Sequence, residues 1–305
     1  MARFLGLRVL QSMALMFGVL LLVFLMVRVT GNPVSLMVSR EATAEQRAAF
    51  IALKGLDRPV LEQFFSYMST ILRGDLDKSL SLGIPNTILI AQRLPATIEL
   101  AFISMLLALT VAIPLGLISG MYPNSPVDII ARVISLAGQT MPTYWLAMIL
   151  ILVFAVNLRL LPSFGRDGFK SLILPAIALA IGLTGQLLRL IRASVLENRQ
   201  QGYVRTAYSK GLSRRSVSFF HIFPNVLVPL ISVLGVQFTY LLGGSVYIET
   251  VFSWPGLGSL LNNAINSSDF PLVQAISLVI ALMVITVNLL TDVLYHYVDP
   301  RMRNR

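Results

Sequence analysis

Residues 226–248 run VLVPLISVLGVQFTYLLGGSVYI, without one charged side chain. About 20 such residues are enough to cross roughly 30 Å of hydrocarbon as a helix. Five further stretches share the character: 9–29, 96–118, 130–157, 172–191 and 273–295. The whole chain agrees with them. Of its 305 residues 56% are hydrophobic and only 12% charged, against about 25% charged in a soluble domain. Mean hydropathy is +0.77. The bilayer is the solvent for much of this chain, and the expected fold is an all-α integral membrane protein of six transmembrane helices.

The first stretch is preceded by Arg3 and Arg8, as a signal peptide would be. Its apolar core from Val9 to Val27 exceeds the usual 7–15 residues and no Ala-x-Ala-like site follows, so it reads as an uncleaved span. The net charge of +10 then reports topology, because Lys and Arg collect at the cytoplasmic ends of spans. Basic residues that flank apolar spans argue against a nucleic-acid surface. Counted over every segment they divide almost evenly between the two sides. Long loops carry little weight in that rule. With 31–95 set aside, Arg3, Arg8, Arg132, the cluster from Arg189 to Arg215, and Arg301, Arg303 and Arg305 outweigh Arg159, Arg166 and Lys170. Both termini are expected inside. The segment 31–95 holds two short amphipathic helices, near 43–54 and 59–73, expected on or near the outer surface. The second carries Leu61, Phe64, Phe65, Tyr67 and Leu72. The organisation is thus a first span in 1–30, an extracytoplasmic segment 31–95, a five-helix core 96–298 and a tail 299–305.

The longest polar segment on the expected inner side is 193–225, ASVLENRQQGYVRTAYSKGLSRRSVSFFHIFPN. A helical half near 194–210 and a second half at 213–222 are separated by Gly211. Glycine accepts positive φ and lets a helix stop in a sharp turn. Lys210 suits the negative end of the first helix, and Ser213 suits the N-cap of the second. Val204, Ala207 and Tyr208, spaced i, i+3 and i+4, make a small apolar face.

At these residues the sequence resembles a known family. Tyr203-Val204-Arg205-Thr206-Ala207, then Lys210-Gly211-Leu212-Ser213 and His221, resemble the EAA loop of ABC-importer permeases, above all those of the dipeptide/oligopeptide/nickel type. Leu94-Pro95-Ala96-Thr97-Ile98-Glu99-Leu100 resembles that family's entry to span two, and Met141-Pro142 with Tyr144-Trp145-Leu146 its span three. Glu249-Thr250-Val251-Phe252-Ser253-Trp254-Pro255-Gly256-Leu257-Gly258 resembles its signature after span five, and Asp299-Pro300-Arg301 its ending. The resemblance implies the type I ABC importer permease architecture. It also implies a second related permease subunit, two cytoplasmic ATPases and an extracytoplasmic substrate-binding protein. Tyr203 to Ala207 with Lys210, Gly211 and Leu212 would couple to an ATPase. Glu249, Trp254, Pro255 and Gly256 would form a gate-like segment beneath the binding protein. The sequence departs from the family pattern at Gln201-Gly202, Tyr208 and Phe223-Pro224-Asn225. Pro224 is expected to end the second loop helix or kink span five.

No P-loop is present. Its nearest approach, GRDGFKS from Gly165 to Ser171, lacks the Gly-Lys step, so ATP and Mg would be handled by partner subunits. His221 and His296 have no ligand-like neighbours at metal spacing, and with no cysteine no thiolate site is possible. No metal or other cofactor is expected on this chain, and no enzymatic activity. Gln139, Thr140, Thr184, Gln186, Gln237 and Asn288 are polar residues inside spans, where such groups are costly. They line a path or bond between helices; Gln139, Thr140, Gln186, Gln237 and Asn288 are the path candidates. Pro114 and Pro142 are expected to interrupt spans two and three, and Gly116 with Gly120 forms a GxxxG pattern suited to a close helix contact. Trp254 also suits an interfacial aromatic belt. A stand-alone secondary transporter or channel would want mid-membrane charge for ion coupling, and the spans hold almost none. An intramembrane hydrolase would want a Ser–His pair or paired carboxylates in the spans, which are lacking. The expectation is a permease subunit in a bacterial inner membrane carrying di- or oligopeptides; a nickel chelate, glutathione or another small solute remains open.

Overall fold

The computed structural model describes residues 2–29, 43–54 and 57–298. The tail with Asp299-Pro300-Arg301, residues 30–42 and 55–56, and the side chain of His296 lie outside the described residues. Among the described residues there is no strand, only an isolated bridge between Lys78 and Pro85. The helices are α1 (Ala2–Val29), α2 (Ala44–Lys54), α3 (Val60–Leu72), α4 (Asn86–Met121), α5 (Pro126–Thr140), α6 (Thr143–Leu150), α7 (Phe169–Arg199), α8 (Gly202–Ser209), α9 (Arg214–Ser216), α10 (Phe223–Val251), α11 (Leu257–Asn266) and α12 (Phe270–Val298). Two π-helical turns, Ile151–Asn157 and Val217–Ile222, extend α6 and α9.

Among the described residues, four rods are long and apolar enough to cross a bilayer: Asn86–Met121, Phe169–Arg199, Arg214–Val251 and Phe270–Leu294. The stretch Leu10–Met26 within α1 is a shorter apolar helix. The third expected span, 130–157, is not one rod. It is α5 and α6, bent by 107° at the break between them. Met141 stands before Pro142 at φ −82° and ψ 126°, the extended conformation that a following proline imposes. Pro114 behaves otherwise and does not interrupt its helix, since α4 runs unbroken through it to Met121. Pro224 neither ends nor breaks the helix entering span five. It falls in the first turn of α10, directly after the π-helical turn, in a rod continuous from Arg214 to Val251. The wider turn carries the chain up to a proline that supplies no N–H and crowds the preceding turn.

The chain divides into two compact units, Met1–Ala96 with Pro255–Thr286, and Thr97–Trp254 with Val287–Arg305. In the first unit α2 opens on a capping box: Thr43 Oγ1 accepts from the Gln46 amide at 3.2 Å, and Gln46 Oε1 accepts from the Thr43 amide at 3.0 Å. On α3 the aromatic face divides. Phe64 is buried edge-on between Phe17 and Phe24 of α1, at centroid distances of 5.5 and 5.2 Å, while Leu61, Phe65 and Leu72 stay exposed. A second core of this unit joins Leu89 and Ile90 to Leu257, Leu260, Leu272 and Ile276. Buried Asp269 fixes the 79–82 loop, accepting from Ser79 Oγ (2.5 Å), Ser81 Oγ (2.8 Å) and the amides of Leu80 and Ser81 (3.1 Å each).

The second unit is built on α7, whose Leu187, Leu188, Ile191 and Val195 are fully buried. Small residues let its neighbours approach. A Cβ on Gly120 of α4 would lie 2.5 Å from Val195 Cβ, and one on Gly116 would lie 2.8 Å from Ile191 Cβ. The Gly116/Gly120 pattern therefore marks a real contact, between α4 and α7. The same holds for α5 against α7, where a Cβ on Gly138 would reach the Ile181 carbonyl oxygen at 2.5 Å.

Candidate functional site

The polar segment between α7 and α10 resolves into a short helix held between two turns. α7 does not continue through it as one helix to 210. It ends at Arg199, and Gln201 is extended with ψ 150° at the N-cap of α8. Two apolar side chains seat α8: Val204, 1% exposed, and Ala207. Tyr208 does not join them and stays exposed, so the inward face is narrower than its spacing suggests.

The end of α8 follows from Gly211. Its φ is +80°, its amide donates to the Tyr208 carbonyl at 2.9 Å, and the next amide, of Leu212, donates to the Ala207 carbonyl at 3.3 Å. This pair of bonds is the Schellman arrangement, which needs a left-handed residue at the position glycine fills. Lys210 caps the helix, its amide reaching Thr206 O at 3.1 Å. Two residues past the glycine, Ser213 Oγ accepts from the Ser216 amide at 3.3 Å and starts the next helix, as its position in the sequence implies. The exposed surface of the segment carries Tyr203, Arg205, Thr206, Tyr208, Lys210 and Leu212, and beyond them Phe219 and Phe220.

Tyr203 ties the two ends of the segment. Its hydroxyl donates to Asn198 Oδ1 at 2.8 Å and accepts from Asn225 Nδ2 at 3.3 Å. Burial pushes the phenol pKa up, against the opposing pull of the Asn225 amide, and keeps the proton this bridge requires.

A second layer of contacts escapes sequence reasoning. Asp128, fully buried, accepts from Arg192 Nε (2.6 Å) and Nη2 (3.1 Å), Ser119 Oγ (2.5 Å) and the Asn124 amide (2.9 Å). Arg132, one turn on, stands 3.7 Å away. Arg199 Nη1 donates to the carbonyls of Met121 (3.1 Å) and Gly120 (3.4 Å) at the end of α4. The Arg214 guanidinium lies 5.8 Å from the Tyr122 ring centroid. One signal was present: Ser125-x-x-Asp128 after a Pro/Asn/Ser turn has the form of a helix-start box, and the Ser125 hydroxyl does accept from the Asp128 amide at 3.2 Å.

Of the polar span residues, Gln186 and Gln237 pair directly, and Gln139 reaches the carbonyl of the residue before Gln186. Gln139 Nε2 donates to Ser135 O and Oγ at 3.0 Å each and leans to the Gly185 carbonyl at 3.4 Å, beside Gln186, which in turn accepts from Gln237. Asn288 pairs separately, with Thr239 at 3.4 Å. Thr140 and Thr184 turn back on their own helices, bonding Leu136 O and Ala180 O. In the last turn of α10, Glu249 is fully buried and accepts from Thr97 Oγ1 at 2.7 Å. Trp254 is buried at 1% exposed rather than set in an interfacial belt. Its amide reaches Glu249 O at 2.8 Å, and the Arg166 guanidinium sits 5.6 Å from its ring. Arg166 also bonds Glu99, Nε to Oε2 at 3.0 Å. Pro255 and Gly256 belong to the other unit, where Gly256 caps α11 and its carbonyl accepts from Leu260 N at 3.2 Å.

Comparison with known proteins gives this geometry a context. The family model described as "Binding-protein-dependent transport system inner membrane component" matches residues 112–304, and the corresponding N-terminal family matches 1–101. The oligopeptide transport system permease protein AppB of Bacillus subtilis (strain 168) is 34% identical over 314 residues, covering 99% of each chain. The glutathione transport system permease protein GsiC of Escherichia coli O6:H1 is 36% identical over 297 residues, covering 97% of each. Among solved structures, the inward-facing MetNI methionine ABC transporter superposes with a TM-score of 0.58 at 16% identity, covering 69% of this chain and 96% of that one. The last likeness establishes the fold.

Proposed function

Because this chain belongs to the binding-protein-dependent transport system inner membrane components, a family of multi-pass ABC importer permeases and not of enzymes, we propose that it carries peptides through one half of a two-permease pathway. The peptide cargo is supported by relatives named for oligopeptide and glutathione transport. The observation that carries the reading is α8. It is seated by Val204 and Ala207 and locked at its C-terminus by Gly211, and it leaves Tyr203, Arg205, Thr206, Tyr208, Lys210 and Leu212 outward. A rigid helix whose polar face stays open suits a docking element for a cytoplasmic ATPase. The chain has no P-loop of its own, so two such ATPases would bind and hydrolyse ATP with Mg. Both termini then lie in the cytoplasm with α8.

On this reading Gln139, Gln186 and Gln237 line the path, with Thr140 and Asn288 nearby in the same unit. Uncharged amides can bond to a passing peptide without the cost of fixed charge in the membrane. The Glu249–Trp254 turn, followed by Pro255 and Gly256, forms the extracytoplasmic gate below a substrate-binding protein. Gentle purification of the tagged chain from its native host tests the assembly. An ABC ATPase and a second permease co-purifying are the expected result; their absence from a folded preparation refutes it.

A further inference from the structure

We propose that the turn joining α4 to α5, residues 120–128, is the anchor that makes α8 move as one body with α4 and α5, with Asp128 as the positioning residue that holds it. The inference rests on the reading of α8 as the ATPase-docking helix. Three arginines converge on this turn, and they come from both sides of α8 in the sequence. Arg192 and Arg199 precede it and Arg214 follows it. Arg192 meets Asp128 with two hydrogen bonds, a geometry that fixes direction as well as distance. Arg199 takes the last carbonyls of α4, groups that lack partners within their own helix. Arg214 lies over Tyr122 within the roughly 6 Å at which a cation is drawn to a ring face.

The packing beneath is as tight as the polar contacts. Gly116 and Gly120 press α4 onto Ile191 and Val195 with no room for a Cβ. Asp128 itself, fully buried, also accepts from Ser119 at the end of α4 and from the Asn124 amide in the turn. It thus pins α4, the turn and α5 onto α7 through one carboxylate. A push on α8 is therefore delivered to α5, and α5 leads straight to the 107° break before Pro142. Without the anchor, α8 would be held by its covalent neighbours, the seating of Val204 and Ala207 and the Tyr203 bridge, none of which reaches α4 or α5 through a polar contact described above.

The natural chain has no cysteine, so Ser209→Cys on α8, outside the docking face, and Val133→Cys on α5, both exposed, accept nitroxide labels cleanly. Double electron–electron resonance on the complex in nanodiscs, nucleotide-free and trapped with ATP and vanadate, reads the distance between them. A single narrow distribution, unmoved by nucleotide, is expected. In the Asp128→Asn protein, and in Arg199→Gln/Arg214→Leu, the distribution should broaden and shift on trapping. A distance that shifts with nucleotide in the unaltered anchor, or anchor variants that keep the narrow distribution, overturns the proposal. Arg199 and Arg214 are exposed, so their double variant decides the matter if Asp128→Asn fails to fold. If the preparation contains no ATPase, the functional reading fails. The nucleotide-free distributions of the variants then still decide the anchor.

Discussion

Tyr203 and Asn225 stand 22 residues apart in the chain and share a hydrogen bond, Asn225 Nδ2 to the Tyr203 hydroxyl at 3.3 Å. The same hydroxyl holds Asn198, so one phenol closes α8 and its two turns into a ring. Tyr203→Phe keeps the aromatic body and removes the oxygen. It should destabilise the segment by about 1 kcal/mol, the net worth of a typical hydrogen bond. Faster amide hydrogen exchange confined to residues 200–225 would register it, with the transmembrane helices unchanged.

Gly211 gives a stronger effect. At φ +80° a side chain costs about 1–2 kcal/mol. Gly211→Pro cannot reach that angle and also loses the amide that bonds Tyr208. Gly211→Ala should retain most transport in proteoliposomes. Gly211→Pro should insert in the membrane yet hydrolyse ATP without transport. Normal uptake by the proline variant would refute the role given to the turn.

Where α4 meets α7, Gly120→Val has nowhere to put its side chain, because Val195 already lies 2.5 Å from the Cβ position. Overpacking of this kind costs about 1–3 kcal/mol. A lowered thermal midpoint in detergent is expected, partly recovered by adding Val195→Ala. No recovery in the double variant would place the strain elsewhere.

Asp269 predicts a pH dependence. Burial alone would raise its pKa, but the hydroxyls of Ser79 and Ser81 and the amides of Leu80 and Ser81 outweigh it and hold the carboxyl below its ordinary value. The unfolded chain therefore binds this proton at a higher pH than the folded one. The stabilisation is fully present above the ordinary carboxylate range, about pH 4, and is lost as pH falls below it through the folded value. Thermal midpoints of the wild type should fall more steeply from pH 5 to 3 than those of Asp269→Asn; parallel slopes would contradict the assignment.

Gln237→Leu removes the amide that donates to Gln186 and leaves a residue lipid tolerates. Expression should hold while peptide uptake drops roughly fivefold, the equivalent of one lost hydrogen bond of about 1 kcal/mol. Unchanged uptake would remove Gln237 from the path.

Features set by neighbouring residues were legible in the sequence. The Gly211 turn, the Ser213 cap and the break before Pro142 each follow from rules that act over a few positions, and the structure has all three. Pro114 carried the same local signal without the break, because a proline inside a helix can be absorbed where the chain stays helical before it. Tyr208 fits an apolar face by spacing, yet the burial of that face is exhausted by Val204 and Ala207. Trp254 has the composition of an interfacial anchor and is instead enclosed. Asp128 was legible only as part of a helix-start box with Ser125; its ion pair was not, since Arg192 lies 64 positions away and only the packing of α5 on α7 brings them together.

The π-helical turn Val217–Ile222 has one last consequence. A π turn holds an extra residue relative to the α-helix around it, and each α-helical residue advances the face by about 100°. The two ends of the rod from Arg214 to Val251 are therefore wound out of phase by one position. A chimera that joins this loop to another permease's fifth span must preserve the residue count between Ser213 and Pro224. A single deletion there would keep every residue type and still rotate Gln237, Tyr240 and Tyr247 to a different side of the membrane rod.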